Sequence, residues 1–292
     1  MSLKIILLLV LFSIFSQSSF SQERILKGEI LSGSNPVSYA SIGIVGKDIG
    51  TVADEKGHFN IVIELSKISL DEDIIIVSCL GYLDKSFSIK DLSFDSNSPI
   101  IINLVKTDLK LNEVFVRPKK IKEKKFGNSW VYVLTSSAIF SRGEDVSDAL
   151  GRETGMVLKI DSSIRIKDFN MYVTGSQFKS VKFRLQFYDL TGGEPNLIPL
   201  SEDILFEATV SKGWVKVNLA PYNIYIEGKD KIGVTMQWIK SEPLNEKSKY
   251  FVLSGGFSLF SNGGLYRLKS GAAWGFPNYS LSFYLTADSY TE

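Results

Sequence analysis

Gly50-Thr51-Val52-Ala53-Asp54-Glu55-Lys56-Gly57-His58-Phe59 is the stretch on which the fold of this chain turns. Val52 and Ala53 close a short strand. Asp54-Glu55-Lys56-Gly57 is a tight turn, with glycine where a positive φ is wanted and Asp54 placed to hold the turn through side chain to backbone bonds. Phe59, Ile61 and Ile63 then alternate with His58, Asn60 and Val62, the two-residue period of a half-buried strand. His58 falls on the solvent side of that alternation.

Outward from this hairpin the same grammar repeats. Strands are expected over Arg24–Ser32, Val37–Val45, Asp73–Cys79, around Phe87 and Ile89, and over Ile100–Leu104, separated by turn residues such as Gly33-Ser34-Asn35-Pro36. Ile74-Ile75-Ile76-Val77 is continuously apolar, the pattern of a strand buried on both faces. Seven short strands with a turn every ten residues or so point to a β-sandwich.

Five separated segments also carry a family likeness. They are Leu26–Ile30, Pro36–Ile42, Gly50–Phe59, Val77–Tyr82 and Leu111-Asn112-Glu113-Val114-Phe115-Val116. In this order they resemble the carboxypeptidase-like regulatory domain found on exported proteins of the Bacteroidetes group. His58 and Ala53 depart mildly from its usual pattern. The resemblance implies a transthyretin-like (prealbumin-like) seven-stranded sandwich over residues 22–116, a non-catalytic accessory role and an envelope location.

Composition narrows the chemistry. The 292 residues are 44% hydrophobic and 22% charged, as in a globular protein, and leave room for two domains. Lys and Arg number 33 against 32 Asp and Glu, so no global field favours nucleic acid. Cys79 is the single cysteine, which excludes an intrachain disulfide and a cysteine-rich metal site. With His58 the single histidine, most imidazole-dependent catalysis is excluded as well. No catalytic residue, metal ligand or cofactor site is expected.

Lys4, the apolar run Ile5–Phe15 and the small residues Ser19 and Ser21 read as a secretory signal peptide over residues 1–21, cleaved after Ser21. The run is short for an uncleaved anchor, which is the other reading. No cysteine follows it to be acylated. No later segment is long and apolar enough for a span, so the mature chain is expected to be exported without a transmembrane segment, periplasmic or bound to the outer membrane or cell surface.

Arg117–Lys125 (Arg-Pro-Lys-Lys-Ile-Lys-Glu-Lys-Lys) is expected to be a basic linker. A patch for anionic lipid or glycan is its alternative reading. From Phe126 the pattern is β again. In Val181–Tyr188, Lys182, Arg184 and Gln186 mark one wet face, and Trp214–Leu219 alternates likewise. Many strands without a convincing long helix make residues 126–292 a second, larger, jelly-roll-like β-sandwich, so the chain is all-β.

Candidate ligand contacts are few. Trp130, Trp214 and Trp238 lie in strand patterns and are read as sheet packing. Trp274 lies with Phe276 and Tyr279 in the Gly-flanked loop Ser270–Tyr279 and is the candidate for stacking on a sugar ring. Asp145, Asp148, Glu153 and Asp161 can supply oxygen ligands to Ca²⁺, but no Asp-x-Asp-x-Asp-Gly spacing is present and surface solvation is the preferred reading. The expected function is a non-catalytic envelope protein that binds or scaffolds an envelope protein or glycan. The alternative is a surface glycan-binding module with the C-terminal domain as binder.

Overall fold

The computed structural model describes residues 23–92, 99–107, 120–132, 136–141, 149–257 and 263–291. The expected signal peptide, the Leu111–Val116 motif, and Asp145 and Asp148 lie outside them. The described chain is nearly all β. Among the described residues no helix is long and apolar enough to cross a membrane.

The first sandwich contains β1 (Glu23–Ser32), β2 (Asn35–Pro36), β3 (Ser41–Ile44), β4 (Gly50–Val52), β5 (His58–Glu64), β6 (Ile74–Ser78), β7 (Lys85–Ser88) and β8 (Ile100–Asn103). One sheet runs β2-β1-β5 with β8 parallel to β1, and the other runs β4-β3-β6-β7. Leu26, Ile30, Ile42, Phe59, Ile61, Ile63, Ile75 and Val77 fill the space between them. Burial along β5 alternates as expected, with Phe59, Ile61 and Ile63 inside. The turn before it forms as expected. Asp54 Oδ1 accepts from the amides of Lys56 (2.8 Å) and His58 (2.9 Å), and Gly57 adopts φ 79°.

Two expectations change. Val37–Val45 is a strand only from Ser41, because Tyr39 takes a left-handed conformation (φ 58°) that no strand accommodates. In β6, Ile75 and Val77 are in the core, but Ile74 is exposed and Ile76 half-exposed. The continuous apolar run therefore has one core face, and Ile76 on its other face borders a cleft.

The second sandwich contains β9 (Lys120–Gly127), β10 (Ser136–Ser141), β11 (Glu153–Lys159), β12 (Ser163–Ser176), β13 (Phe178–Asp189), β14 (Asn196–Leu197), β15 (Ile204–Ala208), β16 (Gly213–Asn218), β17 (Tyr225–Ile226), β18 (Lys231–Pro243), β19 (Tyr250–Phe257), β20 (Gly264–Arg267), β21 (Tyr279–Leu281) and β22 (Phe283–Thr291). One sheet contains the order β9-β22-β12-β16. The other contains β11-β18-β13-β15. Strands β11, β12 and β13 alternate between the sheets, and so do β15, β16 and β18. This is jelly-roll connectivity. Strands β19 and β10 extend the first sheet beyond the bulge at Val173–Gly175, and β20 extends the second.

The core between these sheets is aromatic. Trp238 packs edge-on against Phe183 and Phe178, with ring centroids 5.8 and 5.1 Å apart, and Phe169 packs on Phe283 at 5.3 Å. Each such fully buried aromatic contributes roughly 1.5–3 kcal/mol through burial. Trp238 is thus core, as its alternation implied. Trp130 is not: it is 79% exposed and outside any strand.

The expected linker is corrected in its described part. From Lys120 the chain is strand β9, paired antiparallel with β22 from Thr291 to Tyr284. Lys124 pairs with Asp161 at 2.9 Å and Lys125 lies over the Tyr284 ring, 4.9 Å from its centroid, so charge here decorates an edge strand.

Candidate functional site

The two sandwiches meet on the outer face of the β15-β13-β18-β11-β20 sheet. Core-facing Phe183, Leu185 and Phe187 alternate there with Lys182, Arg184 and Gln186, the face read as wet from sequence. The first sandwich covers part of it, and Arg184 is only 5% exposed. Its guanidinium donates to both oxygens of Asp203 (2.8 and 3.0 Å from Nε, 2.8 Å from Nη2), to Gln237 Oε1 (2.9 Å), and across the interface to the carbonyl of Tyr39 (2.9 Å). A planar five-donor fork suits this arrangement as a lysine cannot. Gln237 continues the network by donating to Ser41 Oγ (3.0 Å) of the first sandwich and to Ser270 Oγ (3.3 Å).

Gly43 and Gly50 of the first sandwich lie directly under the Ser270 carbonyl. A Cβ on either would stand 1.7 or 2.4 Å from that oxygen. Gly46 N–H donates to the carbonyl of Gly271 (2.8 Å). The loop that carries Trp274 is thereby pinned by the first sandwich. At the rim, Glu55 of the quoted hairpin accepts from the Tyr39 hydroxyl (2.6 Å) and from Lys240 Nζ (3.0 Å). Tyr39, Val52 and Ile239 form a small apolar contact between the sandwiches.

Beside this interface opens a cleft of ≈ 450 Å³, lined by both sandwiches. Ile76, Cys79 and Asp84 contribute from the first. Arg184, Asp203, Tyr188, Arg267 and Trp274 contribute from the second. Its two arginines are each matched by a carboxylate, Arg184 by Asp203 and Arg267 by Glu153, whereas Asp84 and Glu202 line it without an ion pair among the described residues. Glu153, fully buried, accepts from Arg267 Nε (2.6 Å), the Tyr188 hydroxyl (2.6 Å) and Thr235 Oγ1 (2.5 Å). Arg267 in turn lies over the Trp274 ring, 4.6 Å from its centroid, and Tyr188 packs edge-on against the same ring at 5.0 Å. Burial pushes the Cys79 thiol up to about 11, raises the Asp84 carboxyl, and drives the Tyr188 phenol well above its ordinary value. At neutral pH the thiol is therefore protonated and a poor nucleophile.

The structure separates the residues expected together. Trp274 faces the cleft, with one ring face occupied by Arg267. Phe276 is 39% exposed. The Tyr279 hydroxyl turns inward to Thr154 Oγ1 (2.9 Å), and burial raises its pKa to about 12. Of the acidic group, Glu153 opens β11 and Asp161 lies two residues beyond its end, one paired with Arg267 and the other with Lys124. No cluster of three or more metal-ligating side chains occurs among the described residues. Trp214 packs on its sheet as expected: Val215 and Val217 face the core, while Trp214 shares the outer face with Lys216 and Asn218, edge-on against Tyr172 and Tyr284 and 38% exposed. The interface residues Arg184, Gln237, Glu153 and Arg267 escape a sequence reading, because a polar strand face looks the same whether water or another domain covers it.

The fold and interface define a pair of docked β-sandwiches with a shared cleft. Residues 26–116 match the family model of the CarboxypepD_reg-like domain. No curated protein matches the chain. Among solved structures, the cysteine protease and lectin-like domains of Cwp84, a surface layer associated protein of Clostridium difficile, overlap with 10% identity and a TM-score of 0.35, over 91% of this chain and 58% of that one. The structure of infectious bursal disease virus Gx strain overlaps with 12% identity and a TM-score of 0.28, over 91% and 60%. The chain thus spans less than two thirds of either, and nothing about its activity is taken from them.

Proposed function

We propose that this chain is a non-catalytic, exported envelope protein that binds or scaffolds another envelope component through its two sandwiches. The observation that supports this reading is the state of the cleft. Each of its arginines, Arg184 and Arg267, is bonded to a carboxylate of the same domain, and its one thiol is held protonated by burial. Neither arginine is then free to hold an anionic substrate, and the protonated thiol is a poor nucleophile. Residues 1–21 serve as the export signal, and the first sandwich acts as the accessory domain that fixes the binding domain in place.

The test pairs localisation with activity. In a Gram-negative host the full chain is expected in the envelope fraction with a new amino terminus at Gln22. The purified chain from Gln22 is expected to sediment with washed cell envelopes without releasing reducing sugars or amino termini from them. Retention in the cytosol, or release above a buffer control, overturns the reading. A second reading, a surface glycan binder with the C-terminal sandwich as the binding part, is favoured by the aromatic side chains left open on that sandwich.

A further inference from the structure

The cleft between the sandwiches has apolar walls that are left over from both cores. Ile76 turns away from the first core and borders the cleft half-exposed. Ile198 and Pro199, from the chain between β14 and β15, line it on the second sandwich. Its ≈ 450 Å³ lies in the range of pockets that hold small organic molecules, which favour domain interfaces. The polar groups decide the kind of molecule. No lysine lines the cleft among the described residues. The Arg184 guanidinium is committed to Asp203, Gln237 and the Tyr39 carbonyl, and Arg267 to Glu153. Two lining carboxylates remain, Asp84 on the first sandwich and Glu202 on the second, and neither has an ion pair among the described residues. Lys85, beside Asp84 in sequence, donates instead to the Asn103 carbonyl (3.0 Å) and lies over the Phe87 ring. Both carboxylates are solvent-exposed, so a ligand can reach them, yet the surroundings of Asp84 desolvate it enough to raise its carboxyl.

We propose that the cleft is a binding site for a small organic cation, an ammonium or guanidinium carried on an apolar body, with Asp84 and Glu202 as its counter-charges and Ile76, Ile198 and Pro199 as the wall for its body. This adds a small-molecule site to the envelope-binding reading and does not depend on it. An anion meets two uncompensated carboxylates and no free guanidinium, so it is repelled. A neutral apolar molecule gains the walls alone. A cation gains the walls and also compensates the desolvated Asp84. Exposed ion pairs are individually weak, so two of them favour a cation over its neutral counterpart by about tenfold. Because the two carboxylates stand on different sandwiches, a cation held by both also stabilises the docked arrangement and raises its Tm.

Isothermal titration calorimetry of the chain from Gln22 tests the proposal. Three amines, 4-phenylbutylamine, tryptamine and hexylamine, are each compared with the alcohol and the carboxylate of like body. At least one amine is expected to bind saturably, more tightly than its alcohol, while its carboxylate does not bind. Asp84→Asn and Glu202→Gln are each expected to weaken the amine by about threefold and to leave the alcohol unchanged. Glu246→Gln, an exposed carboxyl in the turn between β18 and β19, is expected to change neither. On the wild type itself, added salt is expected to weaken the amine and not the alcohol, a readout that needs no variant. The absence of binding by all three amines overturns the proposal. So does an alcohol or carboxylate that binds as tightly as its amine, or amine binding that survives both salt and the combined Asp84→Asn and Glu202→Gln substitutions. None of these outcomes changes sedimentation with envelopes, on which the envelope-binding reading stands or falls by itself.

Discussion

Gly57 and Tyr39 show how single residues secure the first sandwich. Gly57 sits at φ 79°, and a Cβ there would lie 2.4 Å from the carbonyl oxygen of Ile30. Gly57→Val therefore adds left-handed strain for a β-branched residue to a backbone clash, a loss of about 1–3 kcal/mol or more. A fall in the urea midpoint with an unchanged m-value checks this, and an unchanged midpoint refutes it. His58, one residue on, has a side chain 56% exposed, with Asp54 and Glu29 at 3.5 and 3.9 Å. It makes no contact that a fold needs. Tyr39 holds a left-handed conformation without being glycine, a strain of roughly 1–2 kcal/mol. Its amide bonds Asp54, its carbonyl accepts from Arg184 and its hydroxyl donates to Glu55, so the strain is stabilised from both sandwiches.

At the scale of the element, the Gly50–Phe59 hairpin does two jobs. It sets the register of β5 and carries Glu55 to the second sandwich. The Tyr39 hydroxyl, and then Lys240, hold the Glu55 carboxyl at about 2 instead of its ordinary 4.5. A carboxyl whose folded-state pKa lies below its unfolded one stabilises the fold fully above the unfolded value. That contribution is lost as pH falls towards the folded value. The Tm difference between the wild type and Glu55→Gln is expected to hold constant from pH 7 to about 5 and to have shrunk by pH 3. A difference as large at pH 3 as at pH 7 would remove Glu55 from this role. Because Glu55 lies at the exposed rim, the whole effect also weakens with salt.

At the scale of the molecule, the outer face of one jelly-roll sheet serves as the seat of the first sandwich. Two features make the seat specific: the Ser270 carbonyl pressed on Gly43 and Gly50, and the Arg184 fork. Gly43→Ala places a methyl carbon inside the Ser270 carbonyl and forces the domains apart. Arg184→Ala strands Asp203 and the Tyr39 carbonyl, a cost of about 3–5 kcal/mol. Wild-type chain is expected to melt in one transition. Either variant is expected to lower its midpoint or split it into two. Calorimetry that finds a single transition at the wild-type temperature in both variants would refute the docked arrangement.

The β grammar was legible in the residues because it is local. The period of two in β5 and β13, the Asp54–Gly57 turn and the five family segments each report on neighbours a few residues away. Alternation also told correctly that Trp238 faces a core. It could not tell which outer faces stay wet. Arg184 and Gln186 read as solvated, yet a domain sits on Arg184. Alternation assigns a side of the sheet and not the identity of that side. Lys120–Lys125 read as a linker since its charges hide an edge strand whose partner, β22, lies over 150 residues further along the chain. The sequence by itself determined two β-sandwiches and the character of the first. Only the tertiary structure decided how they dock and that Arg184 and Arg267 are each matched by a carboxylate at the cleft. Those outcomes depend on contacts between residues far apart in sequence, and no local pattern encodes them.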